Sequence, residues 1–128
     1  MPERVRRLHA RRVLLCCAAA LSIGASGPAL ATLNGAAREA ARELLFDRAK
    51  GNCLACHRLP TLVGAEQAGD SGPPLIAMQA RFSDKRMLRA RIWDATASTP
   101  DSFMPPFGRH QILTEDEIDL VVEFIYGL

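Results

Sequence analysis

The chain has 128 residues and a formal net charge of +2, from 16 basic and 14 acidic side chains. Five Arg and one Glu of that total lie in residues 1–31, so the remaining 97 residues carry 11 basic and 13 acidic side chains, a net charge of −2. A chain of this size has room for one compact domain, and the acidic balance of its main part gives no reason to expect a nucleic-acid partner.

The first 31 residues have the order of an export signal. Arg residues precede an uncharged apolar run at 13–23, and small residues stand at Ala29 and Ala31, where an export peptidase cleaves. We therefore expect a signal peptide over 1–31, cleaved near Ala31, and a periplasmic domain at 32–128 without a membrane span. An uncleaved N-terminal anchor is the alternative, although the apolar run is shorter than the ~20 residues that cross a bilayer.

Helices separated by one long loop are expected between residues 35 and 95. Residues 35–50 predict a helix that Gly51 ends. Three Gly and three Pro in residues 58–74 predict a loop. A short helical stretch is expected at 75–82, and Ser83 is the expected N-cap of a helix that has Asp84 in its first turn and reaches about residue 95. The apolar stripe expected for the first helix consists of Ala36, Ala37, Ala40, Leu44 and Leu45.

The last helix has the clearest signals. Thr114 and Glu117 have the spacing of a capping box, which predicts that the helix begins just after Thr114. Its expected apolar stripe consists of Ile118, Leu120, Val121, Val122, Phe124 and Ile125. Residues 96–113 are irregular, and no alternating pattern predicts a sheet. We expect an all-α domain of three to four short helices, with long Pro-rich loops that wrap around a bound group.

The bound group itself is predicted by the spacing of Cys53, Cys56 and His57. Two thiols separated by two residues can form thioethers with both vinyl groups of one porphyrin, and the adjacent His then reaches the iron. A disulfide or redox pair would not require His at this position. A zinc site would need two more Cys or His ligands, and the mature chain offers only His110. The pentad therefore predicts one covalently attached haem c.

The second axial ligand is expected from Met104. Two prolines follow it, and they fix the backbone so that a weak thioether ligand is held at little ordering cost. His110 is the next candidate, while Met78 and Met87 have the spacing of core residues. Ligation by His and Met fills both axial positions and raises the reduction potential, which favours electron transfer over chemistry at an open iron site.

Residues 72–75 include Pro73, Pro74 and Leu75, and this proline-fixed segment is expected to present a carbonyl to the free N–H of His57. Trp93 is either a neighbour of the haem or an ordinary core residue. Five of the 11 basic residues fall within residues 81–91, where they form a solvated helix face, a docking patch for an acidic partner or a contact to the haem propionates. They are Arg81, Lys85, Arg86, Arg89 and Arg91.

The motifs at residues 51–57 and 72–75 resemble class I cytochromes c in general. Later motifs resemble the SoxX family, the monohaem subunits of the sulfur-oxidation SoxXA cytochromes; they lie at residues 92–95, 104–108, 112–115 and 126–128. Residues 58–70 match no motif of that family.

The resemblance implies a periplasmic role in thiosulfate oxidation. It implies covalent attachment through Cys53 and Cys56, axial ligation by His57 and Met104, and a SoxA-like monohaem or dihaem partner. In SoxXA, an L-cysteine S-thiosulfotransferase, that partner supplies the catalytic haem that couples thiosulfate to a SoxYZ carrier. The SoxX-like subunit, without catalytic residues of its own, passes electrons to another cytochrome. A free-standing cytochrome c shuttle and a haem enzyme or gas sensor are the alternatives.

Overall fold

The computed structural model describes residues 33–128, which belong to one compact unit. Four α-helices, α1 (Gly35–Phe46), α2 (Met78–Arg81), α3 (Lys85–Trp93) and α4 (Glu115–Tyr126), are joined by loops that contain two short 3-10 turns, Cys53–Ala55 and Ala95–Ala97. These residues contain no β-strand, which confirms the predicted all-α class. The predicted signal peptide over residues 1–31 lies outside the described residues.

Helix α4 is the centre of the core and packs against both α1 and α3. Its predicted capping box is present: the Glu117 amide donates to Thr114 Oγ1, and the Thr114 amide donates to the Glu117 carboxylate. The predicted stripe is buried except for the half-buried Leu120. Phe124 is 1 % exposed, and complete burial of such a side chain contributes about 1.5–3 kcal/mol.

Helix α1 is shorter than predicted and its apolar face is rotated. It ends at Phe46 because Asp47 adopts an extended conformation. The buried positions are Ala41 and Leu45, whereas the predicted Ala36 and Ala40 are exposed. Alanine contributes little contrast between faces, so the sequence pattern did not define the register.

Both ends of α3 also differ from the prediction. Asp84, not Ser83, is the N-cap, because its carboxylate accepts from the Arg86 amide. The helix ends at Trp93 rather than near residue 95, since Asp94 is extended and its side chain caps the 3-10 turn Ala95–Ala97. The expected stretch at 75–82 forms a helix only over Met78–Arg81.

Candidate functional site

The two cysteines lie in a tight turn at the end of the segment that follows α1. Asn52 has a left-handed backbone (φ 43°), and the amides of Cys56 and His57 both donate to the Cys53 carbonyl at 3.3 and 2.9 Å. Gly51 allows this turn to approach α1, since a Cβ there would collide with the Leu44 carbonyl. The turn therefore holds both thiols and the imidazole at fixed places on one short segment.

The side chain of His57 is held by the proline segment. Its Nδ1 lies 2.7 Å from the Pro73 carbonyl oxygen. A carbonyl can only accept, so Nδ1 is the donor, and in the neutral imidazole Nε2 then keeps its lone pair free. Gly72 packs against the ring itself, because a Cβ at this position would lie 2.5 Å from Cε1.

The loop at 58–74, of which residues 58–70 matched no motif, is joined to the cysteine turn by backbone hydrogen bonds. The Gly69 amide donates to the Leu54 carbonyl, the Gly72 amide to the Cys56 carbonyl, and the Leu75 amide to the Arg58 carbonyl, at 2.7, 2.7 and 2.8 Å. These bonds place the Gly72–Pro73 segment beside the imidazole. They involve only backbone atoms, so side-chain patterns gave no signal for them.

A cavity of about 870 Å³ lies next to Cys53, Cys56 and His57, and all three residues line it together with Met104. Leu75 and Pro73 also line the cavity, but Pro74 does not; its carbonyl accepts from the Arg81 guanidinium at 2.7 Å. The remaining wall is largely apolar. It includes Met78, Phe82, Leu88, Ile92, Phe107, Ile112, Leu113, Val121 and Ile125.

The four candidates for the second axial ligand occupy different environments. Met104 is half-buried and lines the cavity, whereas His110 is exposed and does not line it. Met87 is 56 % exposed, so the expectation that it is a core residue was wrong. Met78 is buried and also lines the cavity, but its sulfur accepts from the Arg81 guanidinium at 3.5 Å. The thioether without that competing contact is the one in Met104.

Trp93 does not line the cavity. Its ring lies against Gly108, with no space for a Cβ there, and the Arg89 guanidinium is 5.5 Å from the ring centre. The indole therefore contacts the loop that carries Met104 rather than the cavity interior.

The cluster of five basic residues divides into two groups. Three pair with carboxylates of the chain itself: Lys85 with Glu123, Arg86 with Asp84, and Arg89 with both Glu115 and Asp119. Arg81 and Arg91 line the cavity and form no ion pair within residues 33–128; Arg91 donates to Thr99 Oγ1 at 2.8 Å. Of the five, only Arg81 and Arg91 both line the cavity and lack a carboxylate partner among residues 33–128.

The charge of the cavity wall has one sign. Arg48, Lys50, Arg81 and Arg91 contribute basic side chains, and no carboxylate of residues 33–128 lines it. Lys50 also forms an ion pair with Glu117, which links one basic residue of the cavity wall to the capping box of α4. Such a site favours a ligand that is apolar over most of its surface and carries negative groups at its edge.

The surroundings of Cys53 favour the protonated thiol over the thiolate. Loss of hydration at the cavity edge raises its pKa to about 11, and the nearby Cys56 adds to the increase. Redox-active pairs with the same spacing have lowered thiol pKa values. The environment of Cys53 is therefore unlike that of a disulfide oxidoreductase.

These residues fit a haem. The volume is within the range of about 300–1,000 Å³ that is usual for cofactor sites, the wall is apolar, and basic groups are present for two propionates. Two thiols can form thioethers with the vinyl groups of a haem, and an imidazole nitrogen and a thioether sulfur are groups that can ligate its iron.

Comparisons with known proteins agree with this chemistry. The cytochrome c family model matches residues 39–128. A solved structure, the crystal structure of SoxXA from P. pantotrophus, contains a chain that is 27% identical with a TM-score of 0.62, covering 70% of this chain and 79% of that chain. An uncharacterized lipoprotein of Aquifex aeolicus (strain VF5) is 35% identical over 78 residues, which are 60% of this chain. The aligned part spans only 36% of that relative's length.

Proposed function

Because this chain belongs to the cytochrome c family, we propose that it is a periplasmic electron-transfer protein, the SoxX-like subunit of a SoxXA-type L-cysteine S-thiosulfotransferase complex. Membership of the family implies covalently attached haem c, which supplies a one-electron iron couple. The observation that carries the proposal is the single cavity lined by Cys53, Cys56, His57 and Met104.

The residues have separate tasks in this proposal. Cys53 and Cys56 would hold the haem through thioether bonds, and Nε2 of His57 would ligate its iron. The Pro73 carbonyl accepts the proton of Nδ1, which fixes the tautomer and the ring orientation and makes the imidazole a better electron donor. The hydrogen bonds that anchor Gly72 and Leu75 keep that carbonyl in place.

Met104 is the proposed second axial ligand. The Met104 amide donates to Ser102 Oγ at 3.2 Å, and the prolines that follow restrict the backbone on its other side. A neutral thioether ligand would stabilise Fe(II) relative to Fe(III), and ligation by both His57 and Met104 would leave the iron no free site for a substrate. This favours electron transfer over oxygen or gas chemistry.

Two observations support the SoxX assignment. One is the set of motifs at residues 92–95, 104–108, 112–115 and 126–128, and the other is the likeness to a SoxXA chain at 27% identity. The expected mature chain has only Cys53 and Cys56, both committed to haem attachment. The sulfur-bearing catalytic group would therefore belong to a SoxA-like partner, and a SoxYZ-type carrier and a downstream cytochrome would complete the reaction.

A periplasmic location follows from the proposed signal peptide over 1–31 and the domain at 32–128. The lipoprotein name of the Aquifex aeolicus relative is consistent with a position outside the cytoplasm. None of the helices in residues 33–128 has the length and apolar character that a bilayer crossing requires.

Co-purification tests the proposal. The full chain with a C-terminal tag is recovered from its source organism grown on thiosulfate, and haem and peptide stoichiometry are measured. We expect a stable complex with a second haem-bearing chain, whose haem is reduced when thiosulfate and the carrier protein are added. Recovery of a monohaem monomer alone would favour the free-standing shuttle. Carbon monoxide binding to the reduced wild-type protein would favour the open-site alternative.

A further inference from the structure

Asp94 is the buried acidic residue at the junction between α3 and the 3-10 turn Ala95–Ala97, with 9 % of its surface exposed. Its Oδ1 accepts from the amide of Thr96 at 3.0 Å and from the Thr96 hydroxyl at 2.5 Å. Its Oδ2 lies 3.1 Å from the guanidinium of Arg109. One carboxylate thus caps a turn and also binds a second segment.

The segment bound by Asp94 is the loop that carries Met104. The amides of Gly108 and Arg109 also donate to the Trp93 carbonyl, at 3.2 and 3.4 Å, and the Trp93 ring covers Gly108. The end of α3 therefore contacts this loop through an ion pair, two backbone hydrogen bonds and an aromatic face.

The chain between Arg109 and Met104 has little freedom to absorb a displacement locally. Pro105 and Pro106 restrict the backbone, and Phe107 is buried, with its carbonyl accepting from the amides of Ile112 and Leu113 at 2.9 and 3.1 Å. We therefore expect a shift at Arg109 to reach Met104.

We propose that Asp94 is a positioning residue for Met104: its ion pair with Arg109 holds the loop so that the thioether stays at the iron. The inference rests on the proposed axial role of Met104. A thioether is a weak ligand, so small losses in the ordering of its loop increase the fraction of molecules in which the sulfur is displaced.

The Asp94 carboxylate is ionised at neutral pH. The Thr96 hydroxyl first, and the Arg109 guanidinium in addition, hold the pKa of Asp94 below its ordinary value. The variant Asp94→Asn retains a good capping side chain while removing the charge that pairs with Arg109. It therefore separates the capping role from the ion pair.

The chain provides a matched control at the other end of α3. Asp84 also caps a helical segment through a backbone amide and also pairs with an Arg, Arg86, but it is remote in sequence from the Met104 loop and forms no hydrogen bond or ion pair with it. Asp84→Asn removes the same kind of group from the same helix.

The test uses ferric holoprotein and added imidazole, which competes with the thioether. We expect Asp94→Asn and Arg109→Gln to bind imidazole about three- to tenfold more tightly than wild type and to lose the sulfur-to-iron absorption band at lower temperature. Arg109→Lys, which keeps the positive charge, should bind imidazole with near-wild-type affinity, and Asp84→Asn should match wild type. The double variant Asp94→Asn/Arg109→Gln should bind imidazole no more tightly than either single variant. Because the Arg109 side chain is 53% exposed, its variants keep the test open even if Asp94→Asn does not fold.

Two results would overturn the inference in distinguishable ways. Equal imidazole affinity in wild type, Asp94→Asn and Arg109→Gln, with the sulfur-to-iron band present, would overturn the role of Asp94 alone. Absence of that band from wild-type holoprotein would overturn the axial role of Met104 and the inference with it.

Discussion

Gly72→Ala tests the way in which His57 is held. The added Cβ would lie 2.5 Å from Cε1 and 2.7 Å from Nδ1 of the imidazole. The backbone cannot withdraw freely, because the Gly72 amide donates to the Cys56 carbonyl at 2.7 Å. The ring must then move away from the Pro73 carbonyl, or the loop must give up its own hydrogen bond.

The expected cost combines two terms. Overpacking typically costs about 1–3 kcal/mol, and the net loss of one hydrogen bond costs about 0.5–1.5 kcal/mol. We therefore expect Gly72→Ala to lower the free energy of unfolding of the holoprotein by about 1.5–4.5 kcal/mol. The reduction potential should rise, because an imidazole without its Pro73 acceptor donates less to Fe(III).

Guanidinium unfolding of ferric holoprotein and a redox titration measure the two effects. Gly35→Ala is the matched control, since no atom lies within 4 Å of a Cβ at that position. It should leave the free energy of unfolding unchanged or raise it by up to about 1 kcal/mol. Equal stability and equal potential in the two variants would refute the packing of Gly72 on His57.

Three further predictions concern the axial loop and α4. Met104→Leu should lower the reduction potential and remove the sulfur-to-iron band from the ferric absorption spectrum. The control Met87→Leu, at an exposed site, should change neither the potential nor the band. A band retained in Met104→Leu would indicate that Met78 is the ligand. Thr114→Ala should lower the free energy of unfolding by about 1 kcal/mol in a denaturant titration, because it removes the N-cap; no change would show that the cap is dispensable. The Lys50 ammonium first, and the Thr114 amide in addition, hold the pKa of Glu117 below its ordinary value in the folded chain. Ionised Glu117 therefore stabilises the fold at neutral pH, and this contribution is lost as the pH falls through the folded-state pKa. Glu117→Gln should be less stable than wild type by about 0.5–1 kcal/mol at pH 7 and converge with it in acid; a pH-independent difference would contradict this.

The parts of the fold that the sequence predicted are those with strong local signals. Thr114 and Glu117 defined the start of α4, and large β-branched and aromatic residues defined its buried face. At α3, Ser83 and Asp84 are both good caps, and only the contacts of the Asp84 carboxylate decide between them. Local propensity could not make that choice.

The candidate site, like the fold, was predictable where the signal is local and was not where it depends on contacts between distant residues. The spacing of the cysteines and His57 was sufficient to predict a cofactor, and the prolines singled out Met104. The role of Asp94 depends on Arg109, which is distant in sequence, so no spacing rule could pair them. Asp94 is followed two residues later by Thr96, and this spacing is typical of a local side-chain cap. It was the available sequence signal that α3 ends before residue 95.

We propose one arrangement of the cofactor, in which one haem is bonded to Cys53 and Cys56 and ligated by His57 and Met104. Its most direct test is mass spectrometry of the denatured protein, purified from the periplasm of a host competent in cytochrome maturation, together with the ferric absorption spectrum of the native protein. We predict a peptide containing residues 53–57 that carries the mass of one haem, and a sulfur-to-iron band that Met104→Leu removes. A colourless protein with two unmodified cysteines would contradict the account.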